Sequence, residues 1–213
     1  NTAVGRSALL ANTTGHSNTA LGKSALAANT TAHANTAVGY GTLLVNTTGE
    51  YNIAIGADSL AANTTASNNV AVGKNALAAN TTAANNVAVG RDALAANTTG
   101  TANTSVGAYS GDATTSGENN SFFGSAAGGS NTSGSNNCCF GKDAGTSLTT
   151  GGTNVGVGKS SLGSVTSGTL NLAVGHEAGS NLASGASENT VLGCSAKTGA
   201  TNSSHAIVIG SGI

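Results

Sequence analysis

Proline, methionine and tryptophan are absent from this sequence, and its 213 residues include only three phenylalanines and three tyrosines. So few bulky side chains exclude a conventional globular core, although the length alone would permit one or two domains. Charged residues are also scarce, at 7% where a soluble domain ordinarily carries about a quarter. A net charge of −1 excludes the basic face of a nucleic-acid-binding domain. No apolar run approaches the roughly 18 residues of a membrane span. No signal peptide precedes the opening Asn1-Thr2-Ala3-Val4-Gly5, so the chain reads as a mature product or a fragment. Cys138, Cys139 and Cys194 form neither an even disulfide framework nor a metal-ligand spacing. They read as small buried hydrophobes, with an intermolecular bridge as the alternative.

What the sequence has instead is one motif repeated from end to end. An Asn opens it at positions 1, 18, 35, 52, 69, 86, 103, 120, 137, 154 and 171, a constant 17-residue spacing. An insertion moves the next start to Asn189, and Ala206 opens a truncated last copy. The consensus is Asn-(Thr/Val)-Ala-Val-Gly-x-x-Ala-Leu-x-Ala-Asn-Thr-Thr-Gly-x-x, whose positions are called places 1 to 17 below. Place 5 is always glycine: Gly5, Gly22, Gly39, Gly56, Gly73, Gly90, Gly107, Gly124, Gly141, Gly158, Gly175, Gly193 and Gly210. Place 4 is always apolar: Val4, Leu21, Val38, Ile55, Val72, Val89, Val106, Phe123, Phe140, Val157, Val174, Leu192 and Ile209.

Places 2 to 4 alternate side-chain size with the period of a strand, and the glycine marks a corner open to positive φ. Ala-Leu-x-Ala is expected to form a short second strand, and Asn-Thr-Thr-Gly is turn chemistry. A fixed glycine and a turn in every repeat leave no sustained helical period. The expected architecture is all-β: a parallel β-solenoid of about thirteen coils, with place 4 and the place-9 leucines forming the core. Stacking at about 4.8 Å per coil gives a rod roughly 60 Å long. Residues 1–102 are near-identical copies; from 103 to 213 the copies diverge within the same rod. There, place 9 is often glycine (Gly111, Gly128, Gly145, Gly179), and Phe122, Phe123 and Phe140 appear. With about three substantial apolar side chains per coil, association of several copies is the expected remedy.

Asn52-Ile53-Ala54-Ile55-Gly56 and Asn69-Val70-Ala71-Val72-Gly73 resemble the head repeat of YadA-like trimeric autotransporter adhesins. The tandem units are similar as well to those of phage tail-fibre and bacterial surface-fibre proteins, many of which end in a self-cleaving chaperone. The resemblance covers the whole chain. It implies a left-handed β-roll, three chains around one axis and an extracellular role in attachment at a cell surface or virion. The adhesin head repeats nearer every fourteen residues, and neither a coiled-coil stalk nor an anchor barrel is present in this sequence. The ending Ile207-Val208-Ile209-Gly210-Ser211-Gly212-Ile213 reads as a cleavage product or an edge.

Six of the seven basic residues occupy place 6: Arg6, Lys23, Lys74, Arg91, Lys142 and Lys159. Coil stacking aligns them into an interrupted stripe, with Asp58, Asp92, Asp143 and Glu177 at place 7. The stripe is a candidate contact for anionic cell-surface glycan; its plain alternative is a solvated edge. Asn-Thr-Thr recurs at Asn12, Asn29, Asn46, Asn63, Asn80 and Asn97, formally a glycosylation sequon, but its fixed spacing reads as an internal turn with an Asn ladder. The row Thr13, Thr30, Thr47, Thr64, Thr81 and Thr98 resembles the threonine arrays of ice-binding solenoids. His16 and His33 share a place in consecutive coils and are expected to stack, without further ligands for a metal. No nucleophile elbow with assignable partners and no phosphate loop is present; Ala127-Gly128-Gly129-Ser130 is a repeat corner. The expectation is a non-enzymatic segment with no cofactor, whose partners are copies of itself and surface glycan. Two alternatives remain, a filament of head-to-tail solenoids and an ice-binding solenoid.

Overall fold

The computed structural model describes residues 1–199 and 203–212; the last residue of the expected ending, Ile213, lies outside them. Thirteen three-residue strands follow one another, from β1 (Thr2–Val4) and β2 (Thr19–Leu21) to β12 (Thr190–Leu192) and β13 (Ile207–Ile209). They form one parallel sheet in sequence order. Each residue pairs with its equivalent one coil on: Val70, Ala71 and Val72 of β5 (Val70–Val72) lie beside Val87, Ala88 and Val89 of β6 (Val87–Val89). The fold is therefore a parallel β-solenoid of 17-residue coils, with no helix among the described residues.

The expected second strand is absent. The Ala-Leu-x-Ala segment does bond to the next coil, since the Leu60 N–H donates to Ala76 at 3.0 Å and that of Ala62 to Ala78 at 3.1 Å. It is not extended, because Leu60 and its equivalent Leu77 sit at φ 50° and 52°, in the left-handed region. Places 7 and 17 are left-handed too, as at Asp58 and Asn68. With the place-5 glycine, these bends close each coil around a single strand.

The expected core also needs correcting. The middle residue of the strand points inward, so Ala20, Ala37, Ala54, Ala71 and Ala88 are sealed beside Leu26, Leu43, Leu60, Leu77 and Leu94. Val4, Leu21, Val38, Ile55, Val72, Val89, Val106, Phe123, Phe140, Val157, Val174, Leu192 and Ile209 lie on the outer face, half-exposed or exposed. Strand alternation requires this: place 3 and its neighbours at places 2 and 4 project to opposite sides. Alanine fits inside because the coil is thin and the place-9 leucine reaches across it.

Where place 9 becomes glycine, another side chain fills the gap. The fully buried Phe122 takes the space of two leucines, since a Cβ at Gly128 would lie 2.5 Å from its ring and one at Gly111 2.8 Å. Leu148 does the same beside Gly145, and Leu182 beside Gly179. The divergent half thus keeps the volume of the core with different residues.

Polar ladders hold the other side of each coil. Asn52 Nδ2 donates to the Ala66 carbonyl at 2.8 Å, and Asn63 Nδ2 donates to the same oxygen at 3.0 Å. Asn52 Oδ1 accepts the Asn69 N–H at 3.0 Å, and Asn63 Nδ2 also reaches Asn46 Oδ1 at 2.8 Å. Buried amides are costly unless paired, and here stacking itself supplies the partners. The place-12 ladder ends where Thr114 and Leu148 replace Asn, leaving Asn97 Oδ1 and Asn131 Oδ1 without a donor among the described residues.

The glycine at place 5 answers two demands. Its φ runs from 119° at Gly56 to 156° at Gly210. A Cβ at Gly73 would also lie 2.6 Å from the Gly90 carbonyl carbon, so the coils could not stack. Sequence alone reveals the first requirement; the second appears only once the coils are stacked.

Candidate functional site

The outward face of the sheet is the larger exposed feature. Places 2 and 4 line it for all thirteen strands, and neither place holds a charged residue anywhere in the chain. Ile53, Ile55, Phe140, Val157 and Val174 are each 37–41% exposed, and the Phe123 and Phe140 rings stack with centroids 4.5 Å apart. The face is a strip roughly 60 Å long and 10 Å wide, on the order of 600 Å² before side-chain relief. Place 4 is apolar in every strand and place 2 in seven of the thirteen, the other six carrying Thr or Ser hydroxyls. The apolar part therefore falls within the range of the largest patch on an ordinary monomer, about 300–600 Å².

Cys138 sits half-buried on this face, and Cys139 beside it points inward and is sealed. Burial pushes the Cys139 thiol up to about 12, with the neighbouring Cys138 adding to the effect; burial raises the Cys138 thiol too. Cys194 is exposed at place 6, so only Cys139 meets the expectation of a fully buried small hydrophobe.

Place 6 follows the corner glycine and flanks the sheet face. Arg6, Lys23, Lys74, Arg91, Lys142 and Lys159 are all exposed there, in one column. Lys23 Nζ lies 5.4 Å from the centroid of the Tyr40 ring, and the Arg91 guanidinium 4.5 Å from that of Tyr109. Arg91 also contacts the Tyr109 hydroxyl. Place-7 acids pair with two of the bases, Asp92 with Arg91 at 3.5 Å and Asp143 with Lys142 at 3.7 Å. Asp112, nearby, is held above the usual carboxylate range by partial burial, against the backbone hydrogen bonds that favour its ionised form. The sequence located this column by its spacing. The tyrosines beside the cations carry no such spacing signal, because one of them, Tyr109, stands one place later.

On the opposite corner His16 stacks on His33 at 4.7 Å, as expected, and His33 Nδ1 lies 3.0 Å from Glu50. No group of three His, Cys, Asp or Glu side chains among the described residues is arranged to hold a metal. Asn29, Asn46, Asn63, Asn80 and Asn97 of the sequons are sealed inside, with their amides spent on the ladder. The place-13 threonines donate to the next coil, as Thr64 Oγ1 does to Thr81 at 3.2 Å, and place 14 carries the exposed hydroxyl column.

No helix among the described residues is long and apolar enough to cross a membrane. Comparison with known proteins finds no match to any family model, curated protein or solved structure.

Proposed function

We propose that this chain is a structural and adhesive segment of an extracellular fibre, built from three copies set parallel around one axis as a left-handed β-roll. The observation that carries the reading is the charge-free sheet face, apolar at place 4 in every strand and at place 2 in seven of thirteen, which has no cover among the described residues. The resemblance of Asn-x-Ala-(Val/Ile)-Gly to trimeric fibre heads supplies the number three, and a narrow strip along a rod suits cyclic symmetry.

The test is oligomeric state, with Cys138 as an internal reporter. Sedimentation equilibrium should give a trimer at micromolar concentration. In parallel, in-register copies the Cys138 thiols converge on the axis. In a Cys194→Ser chain, which removes the exposed thiol, copper-catalysed air oxidation then links two of every three chains, two thiols giving one disulfide while oxygen is reduced to water. An antiparallel pair would set Cys138 of coil 9 opposite coil 5 and give no such link. A monomer, or a dimer without this crosslink, refutes the proposal.

A further inference from the structure

The basic column carries a second, longer period that the 17-residue repeat does not require. Arg6, Lys74 and Lys142 stand at intervals of four coils, and so do Lys23, Arg91 and Lys159. Each pair of bases is followed on the next coil by a ring: Tyr40, Tyr109 or His176. After each ring comes a small uncharged residue at place 6, namely Ala57, Ser125 and Cys194. The corner thus repeats base, base, ring, small every four coils, about 19 Å at a stacking distance of about 4.8 Å.

The structure makes the first two of these units into defined patches. Lys23 and Arg91 each lie within cation–π distance of the tyrosine that follows, which holds the cation in place. Tyr40 remains 55% exposed and Tyr109 37%. In the third unit His176 Nε2 lies 3.8 Å from Glu177. All nine side chains of the three units are exposed.

We infer that this corner binds a linear acidic polysaccharide running along the rod, in which about every fourth sugar carries a carboxylate. An extended pyranose chain advances by about one coil spacing per sugar, so every fourth sugar meets an equivalent patch. The paired bases take the carboxylate, and the exposed tyrosine ring takes the C–H face of a neighbouring sugar. The place-7 acids Asp58, Asp92, Asp143 and Glu177 lie among the patches and disfavour a densely charged chain. Double-stranded DNA, with a charge about every 1.7 Å along its axis, is such a chain. Each patch is weak and screened by salt, and affinity comes from engaging three at once. The inference deepens the reading as an adhesive fibre by naming the class of ligand, but it does not depend on how many copies surround the axis.

The probes are low-acyl gellan, whose tetrasaccharide repeat holds one glucuronate, polygalacturonate with a carboxylate on every sugar, and neutral dextran. Binding to the full chain is read by light-scattering titration without divalent ions, at low and moderate salt. The parent should bind gellan best, dextran not at all, and lose affinity as salt rises. Changing all six bases to Gln should abolish binding. A charge-conserving permutation, Lys74→Ala with Ala57→Lys and Lys142→Ala with Ser125→Lys, should weaken gellan binding roughly tenfold by breaking two of the three patches. Tyr40→Ala with Tyr109→Ala should weaken it while leaving the salt dependence intact. The inference is overturned if the parent binds no gellan, if the six-Gln or permuted chain binds as well as the parent, or if polygalacturonate binds as tightly as gellan. Sedimentation of the same samples separates the two readings. A trimer that ignores gellan sinks only the glycan, and a monomer that binds it sinks only the trimer.

Discussion

Ala71 and Val72 are consecutive residues of one strand, and they serve opposite sides of the wall: Ala71 is sealed against the Leu77 layer, while Val72 is half-exposed on the outer face. Everything inward of that wall belongs to the folding of one chain. Everything outward of it is exposed, in whole or in part, on the single chain.

The pair gives a direct prediction. Ala71→Asp puts a charge without a partner into the thinnest part of the core and should unfold several coils, seen as a large fall in thermal midpoint. Val72→Asp should leave the coils folded, with an unchanged β-type circular dichroism spectrum, yet abolish assembly in sedimentation. Equal effects of the two substitutions on folding would show that the strand does not divide inside from outside in this way.

The corner glycine predicts a sharp positional contrast. Gly73→Ala forces a methyl group against the Gly90 carbonyl and should destabilise by several kcal/mol, on the order of 3 or more. Gly185→Ala meets nothing closer than Ser167 Oγ at 3.8 Å and should be neutral within about 0.5 kcal/mol. Denaturant midpoints measure both.

Phe122 and the glycines facing it should behave as one unit. Phe122→Ala alone opens a cavity and should cost about 3–5 kcal/mol. Adding Gly111→Leu and Gly128→Leu restores the consensus coil and should recover most of that loss. Recovery stays incomplete because both leucines must take a left-handed φ, near 58° and 61°. Gly128→Leu without Phe122→Ala should be worse than the parent.

The thiols should separate by reactivity and by pH. At pH 8 an alkylating agent should modify exposed Cys194 first, half-buried Cys138 slowly, and Cys139 only when the chain unfolds. Cys139 keeps its proton up to about 12 in the folded chain, while an unfolded thiol gives it up near 9.0. The folded state therefore binds more protons in that window, and stability should fall as pH rises from about 9 to about 12, by at most about 1.4 kcal/mol per pH unit. Comparing denaturant midpoints of the parent and Cys139→Ala across pH 8 to 11 isolates this contribution.

Much of the architecture was legible in the sequence, because a motif of constant period with an invariant glycine admits little besides stacked coils. The assignment of faces was harder to read. Val and Leu at place 4 are the largest apolar residues of the strand, and size suggested burial. Where place 9 carries leucine only a small residue such as alanine fits at place 3, and that leucine, on a left-handed turn rather than a strand, supplies the bulk. Amphipathic periodicity gives two faces but not which one is inward, and in a chain whose outer face is also apolar the usual contrast is missing. The basic column was visible by spacing. Its partner rings were not, since Tyr109 is displaced by one residue from its fellows.

Through ladders such as that of Asn52, Asn63 and Ala66, each coil recognises only the coil above and the coil below, by contacts that recur at every level of residues 1–102. Removing one whole coil from that half joins two surfaces that already fit, and adding one does the same. The molecule is thereby a ruler graduated in single coils. Its reach can be reset by whole notches, about 4.8 Å at a time, without redesign of any contact along it.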